Sequence, residues 1–339
     1  MLTKQKISRF AIEKILNNFD LGKIISIKPL ATSGNITYII KSDKNKYLLR
    51  LSPEGFRWRS KGEIRSEIQL IKHLLKYKFP VSLIISSKDD KEVIKSENRF
   101  GYIRKFIEGR PKLNPNLKEI EKFGEYLGWF HNLVSGYRTK NKRKHIWDLR
   151  ETKKNFKEAK IIILKSKFKN KSEFVRKLES NFSAITFPKN LSSGMIHEDL
   201  GKRHVLWKKN AIVGIIDFDR SYYGSLLLDL GQACRGWCFT NNWRKWSNKN
   251  FLALIKGYQK KRKLTKLEKK YLLSAIKFGI LERSLSFCLR FIDVSHDKED
   301  EKYSLYSVSL RGLLGMVEEN KNEIEKIIAA SSVSGKTRR

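Results

Sequence analysis

Two carboxylates stand where chemistry would be done. Asp199 lies in the segment His197-Glu198-Asp199-Leu200-Gly201-Lys202-Arg203-His204, directly after the apolar run Gly194-Met195-Ile196. Asp217 closes a second apolar run, Ala211-Ile212-Val213-Gly214-Ile215-Ile216, and opens Asp217-Phe218-Asp219. Carboxylates at the ends of two neighbouring short strands suit phosphoryl transfer. One takes the proton of an attacking hydroxyl, and the other holds the divalent cation that neutralises a triphosphate. Asp217 ends a strongly apolar strand, so its charge is costly unless paired, and a bound metal would supply the pairing. A third feature is Ser33-Gly34-Asn35. Glycine lets a backbone approach closely and turn its amides towards phosphate oxygens. Gly34 and Asn35 are therefore candidates for a phosphate-covering turn, and equally for an ordinary hairpin.

The elements that must position these residues can be read from periodicity. Ile7, Phe10, Ala11 and Ile15 recur at helical steps, predicting a helix over 3–18 with Thr3 as its cap. Strand-like runs follow at 24–30, 36–41 and 47–51, and a helix at 61–77 carries Ile64, Ile68, Ile71, Leu74 and Leu75. Further extended runs at 81–87, 92–95 and 102–107 bring the count to six, with part of 81–87 expected as loop. Glu108-Gly109-Arg110-Pro111 breaks the pattern. Beyond it the chain reads as mostly helical: 117–134, two basic stretches within 148–182, then 226–239, 248–260, 265–293 and 304–329. The motif strands interrupt at 195–217, and the tail 331–339 is expected to be disordered.

The layout resembles the aminoglycoside phosphotransferase and choline kinase families, whose catalytic loop reads His-x-Asp-x-x-x-x-Asn and whose metal motif reads Ile-Asp-Phe/Trp. The matching residues are His197, Asp199 and Ile216-Asp217-Phe218. The resemblance spans roughly residues 3–293. It implies an α+β, bilobal protein-kinase-like fold. An antiparallel five-stranded N-lobe with one helix, residues 1–108, would bind nucleotide. A mostly helical C-lobe, residues 109–330, would carry catalysis and acceptor binding. It also implies an ATP-dependent transfer of the γ-phosphoryl group to a hydroxyl of a small molecule. Asp199 would be the catalytic base, and Asp217 would hold Mg²⁺, with Mn²⁺ as an option. Ser33-Gly34-Asn35-Ile36-Thr37-Tyr38 looks like the family's phosphate turn. Arg50, in Tyr47-Leu48-Leu49-Arg50-Leu51, fits the cation that holds the phosphates. Glu67 fits its helical partner, with Glu63 one turn earlier as the alternative. His197 would pack the loop, and Asp229 would be structural.

One position departs from the family pattern: His204 stands where the family has asparagine. Imidazole suits Zn²⁺ better than Mg²⁺. Three outcomes follow: a single metal held by Asp217, coordination through His204 nitrogen, or a weakened pseudokinase that binds nucleotide as a scaffold. Downstream, Asp229-Leu230-Gly231-Gln232-Ala233, Arg235-Gly236-Trp237-Cys238, Gly257-Tyr258 and Leu264-Thr265-Lys266-Leu267-Glu268 resemble the type II homoserine kinase branch. The resemblance therefore points to a homoserine-, choline- or aminoglycoside-like acceptor. Arg235, Trp237, Arg283, Arg290 and Asp293 are candidates for its pocket, and arginines there would suit a carboxylate or phosphate.

Composition bounds the rest. The 339 residues carry 72 Lys and Arg against 35 Asp and Glu, a formal charge of +37. The basic residues are spread along the chain rather than gathered in one stripe. Non-specific polyanion affinity is therefore expected, and a specific nucleic-acid partner is not. A nucleic-acid binder on a kinase-like frame is the competing reading of the charge. The N-terminal residues form no signal-peptide core, and no apolar run reaches the length of a membrane span. Three cysteines without metal-ligand spacing read as reduced, buried thiols, so a cytoplasmic location is expected. Oligomeric state is not legible.

Overall fold

The computed structural model describes residues 7–30, 35–53, 59–141, 143, 146–166, 170–240, 243–291 and 312–330. The chain divides into two compact units. One comprises Met1–Pro111, Thr139–Lys144 and Val205–Asp219, and the other comprises Lys112–Arg138, His145–His204 and Arg220–Arg339.

The first unit is built on β-branched strands. β1 (Ile24–Leu30), β2 (Ile36–Ser42), β3 (Lys46–Leu51), β6 (Arg99–Lys105) and β4 (Ile84–Ile85) form an antiparallel path in the order β1-β2-β3-β6-β4. The antiparallel sheet is the expected one, but it has six strands rather than five, because a short extra strand, β5 (Ile94–Ser96), pairs with β6 off that path. The expected run over 81–87 contracts to two residues. Pro80 has no N–H to offer a ladder, and its carbonyl instead accepts from Ile215 N at 2.7 Å. Alternation buries Ile36, Tyr38 and Ile40 of β2 with Tyr47, Leu49 and Leu51 of β3. They close a core with Ile12, Ile15 and Leu16 of α1 (Arg9–Leu16).

That helix starts later than its periodicity suggested. Ser8 is the N-cap, its Oγ accepting from Ala11 N at 3.1 Å, while Thr3 lies outside the described residues. α2 (Lys61–Lys76) opens in a capping box between Ser60 and Glu63, and buries Ile64, Ile68, Ile71 and Leu74. A second, three-stranded sheet in this unit runs β10 (Ala211–Ile215), β9 (Val205–Lys208), β7 (Arg110–Pro111).

The second unit is helical around one small hairpin, β8 (Ser193–Ile196) paired with β11 (Tyr222–Ser225). The strands preceding the two motif carboxylates, β8 and β10, were expected to be neighbours. They belong to different sheets, because the local turn at Lys209 pairs β10 with β9 instead. Helices α3 (Leu117–Val134), α4 (Leu149–Lys165), α5 (Lys171–Ala184), α6 (Leu226–Trp237), α7 (Asn248–Lys261) and α8 (Lys266–Phe291) supply the bulk. α3 packs on α7 through glycines: a Cβ at Gly257 would stand 1.9 Å from Glu121 O, so only glycine permits this approach.

Every residue of α6 is buried, which forces its polar members Asp229, Gln232 and Arg235 to answer for their burial. The expected helix over 304–329 falls partly outside the described residues. The remainder is two helices, Leu313–Glu319 and Lys321–Ala330, parted at Asn320. The tail 331–339 lies outside the described residues. Cys234, Cys238 and Cys288 are free and buried. Among the described residues, no helix is long and apolar enough to cross a membrane.

Candidate active site

In the second unit, β8 runs straight into the turn that carries Asp199. Glu198 adopts a left-handed conformation with φ 69°, unusual for a residue with a Cβ. The buried Asp229 of α6 holds that turn: Oδ2 accepts from His197 N at 2.9 Å, and Oδ1 accepts from Glu198 N at 2.7 Å. Asp229 is itself fixed by His131 Nε2 at 3.2 Å, and His131 Nδ1 meets the Tyr258 hydroxyl at 2.8 Å. Burial pushes the His131 pKa down, so the ring is neutral, donates from Nε2 and accepts at Nδ1. This buried relay gives the strained turn its rigidity.

Two further contacts fix Asp199 itself. Its N–H donates to His197 Nδ1 at 3.3 Å, and its carbonyl accepts from His204 Nδ1 at 2.5 Å. The Asp199 side chain remains 24 % exposed, and Arg283 Nη2 on α8 approaches Oδ1 at 2.8 Å. Burial opposes the charge, but Arg283, His204 and Arg220 more than offset it and hold the carboxyl at about 2. Asp199 is ionised at neutral pH.

Behind this turn lies a sealed charge cluster. Arg220 pairs with Glu198 and, at 2.7 Å, with Glu282 of α8. Gln232 Nε2 donates to Glu282 Oε2 at 2.7 Å and to Glu198 Oε1 at 3.3 Å. Burial drives the Glu198 pKa upward, with Glu282 adding to the rise and Arg220 opposing it. Arg235 donates from Nε to Gln232 Oε1 at 3.0 Å.

In the first unit, Asp217 follows β10 and is also left-handed, with φ 73°. Its carboxylate pairs with Arg50 of β3, which also reaches Asp219 at 3.2 Å. Arg50 can sit there because β6 passes close by: a Cβ on Gly101 would stand 1.9 Å from Arg50 O. Glu67 of α2 is fully enclosed and receives Arg50 at 3.5 Å, the Tyr102 hydroxyl at 2.8 Å and Arg59. Burial works against its charge, and Arg59 and Arg50 lower its pKa nonetheless. Asn35 links Asp219, to which Nδ2 donates at 3.1 Å, with Arg59, from which Oδ1 accepts at 3.0 Å. Asp217 and Asp219 keep side-chain exposures of 34 % and 28 %.

Their hard carboxylate oxygens fit a small divalent cation that draws its remaining ligands from phosphate and water. Among the described residues, no group of three or more His, Cys, Asp or Glu side chains converges to hold a metal by itself. Among the described residues, a closed structural metal site therefore does not fit.

The structure thus brings Asn35, Arg50, Glu67 and Asp217 into one cluster, and Asp199 and His204 into one turn. Gly34 lies outside the described residues. Glu63, the alternative partner for Arg50, is engaged in the capping box of α2. Trp237 is a core residue, stacked on Phe123 at 3.8 Å and donating to Leu200 O at 2.9 Å. The Arg290 side chain and Asp293 lie outside the described residues. Sequence reasoning missed Arg59, Tyr102, Arg220 and Glu282. None lies in a motif, and only the acid-and-base content of α8 and the basic stretch after β3 hinted at them.

An antiparallel sheet unit with packed helices and a mostly helical unit are those of a protein-kinase-like fold. The chain belongs to the Phosphotransferase enzyme family, whose model matches residues 26–261. It is an enzyme of small-molecule phosphoryl transfer. Among curated relatives it is 27 % identical over 266 residues to a homoserine kinase of Zymomonas mobilis, covering 74 % of this chain and 76 % of that one. A homoserine kinase of Agrobacterium fabrum is 24 % identical, over 76 % and 78 %. Among solved structures, an amicoumacin kinase in complex with AMP-PNP, Ca²⁺ and its ligand shares the fold at a TM-score of 0.68. It is 17 % identical and covers 94 % of each chain. A microcompartment-associated aminopropanol kinase follows at 0.66 and 16 %, covering 94 % of this chain and 99 % of that one.

Proposed function

We propose that the chain moves the γ-phosphoryl group of ATP, with Mg²⁺ (or Mn²⁺), to a hydroxyl of a small molecule. The first unit serves as the nucleotide lobe and the second as the catalytic and acceptor lobe. The observation that carries this reading is Asp199: an ionised, partly exposed carboxylate in a turn whose backbone is pinned by Asp229 and His204. Such a group need not be strongly basic, because it orients the hydroxyl and takes its proton late.

The acceptor O–H gives its proton to Asp199. Its oxygen bonds to the γ-phosphorus, the bond from that phosphorus to the bridging oxygen breaks, and ADP leaves with the electron pair. Arg50, held by Glu67, binds phosphate oxygens. Asp217 would hold a divalent cation, which would supply charge neutralisation on the phosphates. Gly34 and Asn35 cover the phosphates. His204 serves chiefly to hold the Asp199 carbonyl. The single-metal arrangement on Asp217 is thereby favoured. The presence of both Asp199 and Asp217 favours an active kinase over a scaffold.

The test is ADP release from Mg²⁺-ATP across hydroxyl acceptors, with Asp199→Ala as the control. Acceptor-dependent release should fall about 10²- to 10⁴-fold in the variant while ATP binding persists. Full turnover by Asp199→Ala would refute the assignment.

A further inference from the structure

Glu67 divides its two oxygens between two arginines that stand in different surroundings. Oε2 is taken by Arg59. Oε1 accepts from the Tyr102 hydroxyl at 2.8 Å and meets Arg50 only at 3.5 Å. Burial opposes the charge of Glu67, and of the two arginines Arg59 does more to lower its pKa. Arg59 also has a second partner. Its Nη2 donates to Asn35 Oδ1 at 3.0 Å, and Asn35 Nδ2 donates to Asp219 Oδ2 at 3.1 Å. Arg59 directly precedes Ser60, the cap of α2, so the capping box fixes its backbone against the helix that carries Glu67. Arg50, by contrast, turns its Nη2 to Asp217 and Asp219, which keep part of their surface. Both guanidinium groups are buried, but only that of Arg59 joins the Glu67 helix to the phosphate turn.

We propose that Arg59 is a positioning residue of the phosphate site: it is the standing counter-ion of Glu67 and tethers Asn35 to α2, which leaves the donors of Arg50 available to phosphate oxygens. This rests on the reading of Arg50 as the phosphate-binding cation. If Arg50 alone answered Glu67, its turn towards a phosphate would strand an enclosed carboxylate. With Arg59 in place the carboxylate stays answered. The planar fork of a guanidinium suits the double task, because it reaches a carboxylate and an amide oxygen at once in fixed geometry.

Urea unfolding and calorimetric binding of Mg²⁺-AMP-PNP are measured on the full chain, so that no acceptor need be known. Arg50→Gln should lower the affinity about 10- to 100-fold and leave the urea midpoint near wild type. Arg59→Gln should lower the affinity about 10-fold, because Asn35 loses its tether and Arg50 is drawn to Glu67. Arg50→Gln/Arg59→Gln strands Glu67, and its midpoint should fall by much more than the two single losses added. Arg50→Gln/Arg59→Lys keeps a cation on Glu67 and should recover that loss; it stands in should the double glutamine variant fail to fold. Arg59→Lys alone should keep the midpoint yet lose affinity, because an ammonium on Glu67 cannot also hold Asn35. Additive midpoints, a loss in Arg50→Gln/Arg59→Lys as deep as in the double glutamine variant, or wild-type affinity in Arg59→Gln and Arg59→Lys would each overturn the proposal. Wild-type affinity in Arg50→Gln would instead refute the reading of Arg50, and a midpoint loss beyond additivity would still assign Glu67 to Arg59.

Discussion

The two charge clusters handle burial in different ways. In the first unit, Glu67 is sealed while Asp217 and Asp219 keep about a third of their side-chain surface. In the second, Glu198 and Glu282 are sealed and Asp199 alone keeps surface, at 24 %. Each cluster thus separates acids that are fixed for good from acids whose partners can be exchanged. The sealed acids satisfy arginines and hold backbone, because an enclosed carboxylate that lost its cation would be stranded. The exposed ones can change partner at little cost, as binding a metal or a hydroxyl requires. Both partly exposed motif acids, Asp217 and Asp199, also sit at or beside a left-handed residue, Asp217 itself and Glu198. The backbone strain is carried where side chains must be aimed.

Exchanging an acid from each class should break or sharpen this contrast. The largest effect is expected from Asp217→Asn. It should lower acceptor-dependent turnover about 10³-fold, with the metal dependence of nucleotide binding lost, and leave the urea midpoint near wild type. A large loss of stability instead would place Asp217 with the sealed acids. Next comes Arg220→Gln, which strands Glu198 and Glu282. Unfolding in urea should show a loss of about 3 kcal/mol, and an unchanged midpoint would mean that the cluster is not structural.

The smallest effect is a pH dependence. The folded pKa of Asp199, about 2, lies below its ordinary value of 3.8, so folding favours the ionised form. This contributes about 2 kcal/mol that is present above pH about 4 and is lost as pH falls towards 2. Urea unfolding of wild type and Asp199→Asn over that range should show the difference. By the same token, kcat/KM should carry no acid limb from Asp199 between pH about 5 and 8.

Much of the candidate site was legible because the residue types it would need are placed by local pattern. Asp199 and Asp217 each close a short apolar run, and Arg50 stands alone among apolar neighbours in a strand. Such residues betray themselves by type and place. The helices with clear periodicity, 117–134 above all, appear with the bounds the pattern suggests. The misses have physical reasons too. The first helix begins at Arg9, because Ser8 caps it. Residues 81–87 are apolar enough for a strand, but Pro80 withholds the ladder. The neighbour relation of the motif strands failed because a tight turn at Lys209 pairs β10 with the strand just before it.

By itself, the sequence determined the elements, the two acids and the cation of β3, since these follow from local pattern and side-chain chemistry. Only the tertiary structure decided which charges meet. It paired Arg59 with Glu67 across the head of α2, turned His204 onto the Asp199 carbonyl, and gave Arg220 two carboxylates 22 and 62 residues away in the chain. Electrostatic partnership depends on distance and burial, and neither is a property of sequence spacing once the chain has folded back on itself.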